Sequence, residues 1–175
     1  MPFTFLLGGA RSGKSTLAVR LASAFDGPVV VVATAEARDE DMAERIRAHR
    51  DARPATWETV EAPLGLIAAV EDVREDAFVV LDCLTLWVSN ALEVGSEEDK
   101  VEGEARKVAS ALAGRATPSV VVSNEVGLGI VPANELARRY RDVLGRVNGA
   151  VAAEASRSFL VVAGRGVPLE EVTPS

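Results

Sequence analysis

The segment GGARSGKS, Gly8 to Ser15, lies between the apolar run FTFLL and the amphipathic stretch STLAVRLASAF, and that placement leaves few folds open. A backbone whose N–H groups must converge on an anion needs glycine wherever a Cβ would intrude. It also needs a lysine long enough to reach the outer phosphates and a hydroxyl to meet a divalent ion. Gly8, four residues, then Gly13-Lys14-Ser15 meet all three demands. A helix opening directly after the loop adds the positive end of its dipole. The spacing predicts a strand, a phosphate-binding loop and a helix, with Gly8, Gly9, Ala10, Arg11, Ser12, Gly13, Lys14 and Ser15 on nucleotide phosphates. A dinucleotide fingerprint fails, because residue 10 is alanine where G-x-G-x-x-G needs glycine.

Further apolar runs recur along the chain: VVVVA from Val29, FVVLD from Phe78, SVVVS from Ser119 and FLVVA from Phe159. They are continuous rather than alternating, as strands buried on both faces are. Between them, helical patterns cover residues 15–25, 39–51, 64–74, 97–113 and 133–157. Strand and helix alternate, which predicts a single α/β domain over residues 1–175 with a mainly parallel sheet flanked by helices: the RecA-like fold of P-loop nucleotide enzymes. Ligands then collect at the carboxyl ends of the strands. Residues 93–104, EVGSEEDKVEGE, read as a solvated loop leading into a helix, and the tail VPLEEVTPS reads as frayed.

A chain of 175 residues, 48% apolar but only 5% aromatic, suits one aliphatic core. Its formal charge of -7 argues against binding along a nucleic-acid backbone, while local basic clusters still suit a small anion. The single cysteine, Cys83, permits no intrachain disulfide and reads as a small buried residue. No basic leader and no apolar run of membrane-crossing length stand out, so a soluble, cytoplasmic protein is the expectation.

Chemistry beyond the loop starts from Asp82, which closes FVVLD. Nucleotide loops of this kind rely on a second Mg²⁺ support, usually an acid ending a neighbouring buried strand, so Ser15 and Asp82 form the expected metal pair. The alternative use of Asp82 is a strand-terminal turn. The stretch RIRAHRDARP holds the only histidine, His49, among four arginines. On a helix, Arg45 and His49 lie one turn apart, with Arg47, Arg50 and Arg53 about the last turn. Cations beside an imidazole disfavour its charged form, neutral imidazole is a nucleophile, and guanidinium groups neutralise triphosphate oxygens. Two readings stand at this point: a nucleophile in its anion clamp, or an ordinary histidine at a helix end that attracts basic residues. No second histidine or cysteine pair exists to make it a metal ligand.

Taken in order, GGARSGKS, VATAEARDEDMAERIRAHRDARP, WETVEAP, LDCLTLWVSN, VSNEVGLGIVP and ARRYRDVLGRVN resemble the bifunctional adenosylcobinamide kinase and adenosylcobinamide-phosphate guanylyltransferase family of cobalamin biosynthesis. Nearly the whole chain is covered. Gly149 and the ending GRGVPLEEV depart from the family pattern, and neither is expected to touch the nucleotide machinery. The resemblance implies phosphorylation of the aminopropanol hydroxyl of adenosylcobinamide by ATP or GTP. It further implies transfer of GMP from GTP, through a guanylylated histidine at the position of His49, to give adenosylcobinamide-GDP and pyrophosphate. It places nucleotide contacts on Gly8 to Ser15, on Ala33, Thr34 and Ala35, on Arg50, Asp51, Ala52 and Arg53, and on Glu61 and Asp82. Lys14 is the implied catalytic cation of the kinase step, Mg²⁺ the implied cofactor, and a homotrimer the implied assembly. Glu125 is a second candidate near the corrinoid hydroxyl. Trp57 and Trp87 suit core packing better than the corrin ring. A simple small-molecule kinase or a RecA-type ATPase remain the alternatives that the residues alone leave open.

Overall fold

The computed structural model describes residues 3–172. Seven strands form one sheet in the order β3-β2-β4-β5-β1-β6-β7. In chain order these are β1 (Thr4–Gly8), β2 (Val29–Ala33), β3 (Glu58–Glu61), β4 (Phe78–Asp82), β5 (Ser119–Asn124), β6 (Arg157–Val162) and β7 (Arg165–Leu169). All neighbours run parallel except β6 and β7, which form an antiparallel hairpin. The helices are α1 (Lys14–Ser23), α2 (Glu40–Asp51), α3 (Leu66–Glu71), α4 (Leu84–Glu93), α5 (Glu98–Gly114) and α6 (Glu135–Glu154).

Period-two alternation sorts the strand residues into two cores. Phe5 and Leu7 of β1 join Val30, Val32, Val79, Leu81 and Val121 on the face covered by α3, α4, α5 and α6. Leu6 joins Val29, Val31, Val80, Val120 and Val122 on the opposite face, under Ala18 and Ala22 of α1. Side chains such as these each contribute roughly 1.5–3 kcal/mol when removed from water, so the five central strands supply most of the driving force. α2 differs from every other helix in contributing no buried residue.

Several sequence expectations need correction. β3, with sequence ETVE, is too polar to read as a buried strand; it pairs only with β2 at the sheet edge. α4 was not expected because it is apolar almost all round, with Leu84, Thr85, Trp87, Val88, Asn90, Ala91 and Leu92 buried, and a helix of that kind loses its amphipathic stripe. The supposed loop over residues 93–104 is the end of α4, a short turn and the first turns of α5. There Glu98 bonds Arg139 at 2.7 Å and Arg146 at 2.5 Å, tying α5 to α6. The tail is not frayed through Val167 to Leu169, which pair with β6; its last three residues lie outside the described ones. Trp87 is 1% exposed in the larger core, and Trp57 packs against the smaller one, so both serve packing.

Candidate active site

The phosphate loop is shaped by three residues at positive φ: Gly8 at 155°, Arg11 at 58° and Gly13 at 102°. A Cβ on Gly8 would stand 2.4 Å from the Val161 carbonyl oxygen, and one on Gly13 would stand 2.9 Å from Gly164 Cα. Glycine is therefore required at both positions by conformation and by space. Gly164 belongs to the β6–β7 turn, and its N–H donates to Ser12 O at 2.7 Å. The ending GRGVPLEEV thus does touch the nucleotide machinery, contrary to the expectation above. Its turn backs the loop, a contact across the sheet that no local pattern reveals.

Lys14 is buried, and its ammonium donates to Gly8 O at 2.8 Å, Gly9 O at 2.6 Å and Ser12 Oγ at 3.3 Å. Burial lowers its pKa below the usual lysine value, against the raising influence of the Cys83 and Asp82 side chains. α1 follows Gly13 as its N-cap, with no side-chain cap and no acid in its first turn, so its leading N–H groups are free to meet an anion held by the loop.

Asp82 ends β4 beside the loop. Its Oδ2 accepts from Arg53 Nη2 at 3.1 Å, and His49 Nδ1 lies 3.5 Å from the same oxygen. The surroundings of His49 therefore combine arginines with a carboxylate, rather than cations alone as the sequence led us to expect. Arg50 Nη2 reaches Glu61 Oε1 at 3.0 Å, so α2 is tied at its carboxyl end to β3 and β4 by charge. Thr34 aligns the two strand ends. Its Oγ1 donates to Cys83 O at 2.7 Å and accepts from Cys83 N–H at 3.1 Å, while its own N–H donates to Asp82 O at 3.2 Å. Asn90 Nδ2 in turn donates to Thr34 O at 2.9 Å.

These groups surround one cleft of about 920 Å³. Its walls include Ala10, Arg11, Ser12, Gly13, Lys14 and Ser15 from the loop, Ala33 at the end of β2 and Ala35 after it, His49, Arg50 and Arg53 from the α2 region, and Glu61 and Asp82. Gly8 and Gly9 of the loop do not line the cleft; their carbonyls accept from the Lys14 ammonium. Thr34 is fully buried and acts on Asp82 and Cys83 instead of lining the cleft. Asp51, Ala52 and Arg47 are not among the lining residues. Sequence reasoning missed Thr85 and Asn124, which line the cleft and are joined by a 2.8 Å bond from Asn124 N–H to Thr85 Oγ1. Their signal was slight: a polar residue just past a buried strand end. Cys83 also lines the cleft, with its thiol pushed up to about 11 by burial first and by Asp82 second, which makes it a poor nucleophile.

A mainly parallel sheet, a glycine-shaped anion loop opening a helix, a buried lysine and an acid at the end of β4 define a P-loop nucleoside-triphosphate enzyme. Solved structures bear out that fold. A prototypical ATPase from the type III secretion system of pathogenic bacteria superposes with a TM-score of 0.58 at 12% identity, over 91% of this chain and 50% of that one. A KaiC-like protein from Pyrococcus horikoshii gives 0.55 at 14% identity, over 91% and 70%. Sequence goes further than fold: residues 4–169 match the CobU family, cobinamide kinase / cobinamide phosphate guanyltransferase, and the chain belongs to that family. It is 43% identical to the bifunctional adenosylcobalamin biosynthesis protein CobP of Pseudomonas aeruginosa, over 94% of this chain and 95% of the relative. Against CobU of Salmonella typhimurium it is 40% identical, over 93% and 97%.

Proposed function

We propose that this chain, acting as one P-loop domain over residues 1–175, carries out both reactions in the family's description. It phosphorylates the aminopropanol hydroxyl of adenosylcobinamide with ATP or GTP, and it then moves GMP from GTP onto the phosphate so made. The observation that carries this reading is the meeting of His49 and Lys14 in one cleft, with Asp82 between loop and helix.

In the kinase step the loop N–H groups and the Lys14 ammonium hold the outer phosphates while the substrate oxygen replaces the leaving nucleoside diphosphate on the γ-phosphorus. Ser15 and Asp82 offer hard oxygen donors at the cleft and so fit Mg²⁺. When bound, Mg²⁺ supplies charge neutralisation at the phosphates.

For GMP transfer, Nδ1 faces Asp82 and leaves Nε2 as the attacking atom. Nε2 forms a bond to the α-phosphorus of GTP as the bond to pyrophosphate breaks. An oxygen of adenosylcobinamide phosphate then takes the GMP, and the N–P bond breaks to return the imidazole. Arg45 and Arg50 offset the charge of the approaching anions, while Arg53 holds Asp82. Glu61, beside Arg50 at the cleft's edge, is placed to meet the ribose or base. By resemblance the working assembly is a homotrimer, and the single cysteine, Cys83, accords with a cytoplasmic location; no helix among the described residues is long and apolar enough to cross a membrane.

GTP labelled at the α-phosphate tests the reading. The protein should take up acid-labile label, His49→Ala should take up none, and that variant should still phosphorylate adenosylcobinamide. Label retained by His49→Ala would remove the histidine from its role.

A further inference from the structure

The loop between β5 and α6, residues 125–134, carries large apolar side chains that the core does not use. Leu128 is 82% exposed, Ile130 97% and Val131 60%, and Leu136 in the first turn of α6 is 62% exposed. Free surface of this kind, concentrated in one segment, marks a binding site more often than chance. Polar bonds hold both ends of the segment. Glu125 N–H donates to Gly8 O at 3.1 Å, which fixes the segment to the first residue of the phosphate loop, and the Glu125 carboxylate accepts from Gly127 N–H. At the far end Arg138 Nη1 donates to Pro132 O at 3.1 Å and Ala133 O at 2.6 Å, and Asn134 Oδ1 caps α6 through Ala137 N–H at 2.7 Å. The apolar side chains are therefore held out in water on a fixed base.

The two sides of the cleft differ in chemistry. On the α2 side the lining includes Asp41, Glu44, Arg45, Arg50 and Arg53, suited to a nucleotide and its phosphates. On the β5 side the lining ends at Asn124, and the first exposed apolar side chain of the segment, Leu128, follows four residues later. A cobinamide must bring one hydroxyl to the phosphate loop, yet its ring is too broad to follow that hydroxyl into a cleft already holding a nucleoside triphosphate. The ring must rest on the rim, and an apolar rim continuous with the loop is the surface that offsets its transfer from water.

We propose that Leu128, Ile130 and Val131 form the seat for the corrin ring, which the loop anchored on Gly8 and Arg138 presents at the mouth of the nucleotide cleft. This rests on the kinase and guanylyltransferase reading above. The test compares wild type with the double variant Leu128→Ser/Ile130→Ser in three measurements: kinase kinetics with adenosylcobinamide, GTP labelling of His49, and mass in solution by sedimentation. Expected is a rise of about tenfold or more in KM for adenosylcobinamide, with kcat, the KM for the nucleotide, His49 labelling and assembly size unchanged. The apolar swap Leu128→Met/Ile130→Leu should keep the wild-type KM. An unchanged KM in the serine variant would overturn the seat while leaving the enzyme reading intact. Dissociation of the assembly by the serine variant would also overturn it, by showing that a second copy of the chain covers the segment. A wild-type protein that takes label from GTP but never phosphorylates cobinamide would fail the enzyme reading itself, and the seat with it.

Discussion

Arg53 Nη2 and Asp82 Oδ2 stand 3.1 Å apart with both side chains nearly buried, at 10% and 12% exposure, and this pair fixes α2 across the cleft. The partner bridge, Arg50 to Glu61, is far more exposed and contributes little in water. Because α2 brings no apolar residue into the core, charge does for this helix what packing does for the others. Arg53→Ala should therefore slow GMP loading of His49 by roughly tenfold to a hundredfold, since a misplaced nucleophile loses orientation. Hydrogen exchange offers an independent check: α2 amides should exchange faster than those of α5 or α6 in wild type, and faster again in the variant. Equal protection across all three helices would contradict the account.

Lys14→Ala should lower phosphoryl transfer by about a hundredfold to a thousandfold, the usual cost of removing a charge aimed at a developing anion. Steady-state kinase assays decide this.

The same lysine leaves a mark on stability. Burial lowers its pKa in the folded state, so between that lowered value and the unfolded value near 10.5 the unfolded chain binds more protons. The contribution of Lys14 to stability of the nucleotide-free protein should then rise with pH across that alkaline window. Denaturant titrations at a series of pH values should show this slope in wild type and lose it in Lys14→Met.

Gly13→Ala and Gly164→Ala separate space from conformation. Both glycines have positive φ, at 102° and 73°, but only at Gly13 would a Cβ collide, with Gly164 Cα at 2.9 Å; at Gly164 it would meet open space. Gly164→Ala should cost about 1 kcal/mol from backbone strain alone. Gly13→Ala should cost more than that and also weaken nucleotide binding. Chemical denaturation and nucleotide titration of the two variants measure the difference.

Cys83 should be slow to react although it borders the cleft. A thiol raised to about 11 from 9.0 holds about a hundredfold less thiolate at neutral pH. Alkylation by iodoacetamide should therefore run about a hundredfold faster in denaturant than in the native protein. Rapid native alkylation would mean that the thiol is not held as described.

Much of this arrangement was legible in the residues. β2, β4 and β5 are written as unbroken apolar runs because both faces are covered, and the phosphate loop follows from glycine, lysine and serine at fixed spacing. The helical pattern over residues 39–51 anticipated α2, although the helix buries no residue. What stayed hidden depends on contacts between distant segments. ETVE becomes a strand only because β2 offers it an edge. The resemblance implies a nucleotide contact at Thr34, and no local pattern shows that its side chain is also a buried clamp between two strand ends, a role that needs Cys83 brought beside it. Arg53 read as part of a basic cluster, and only the fold shows that one of those cations belongs to Asp82.

The turn at Gly164 has a consequence for shortened forms of the protein. A pocket whose first wall is laid down at residue 8 is propped by a residue that leaves the ribosome 156 positions later, through the bond from Gly164 N–H to Ser12 O. A chain cut before the β6–β7 turn lacks that bond, and such a truncation should loosen the backbone of the phosphate loop at Ser12.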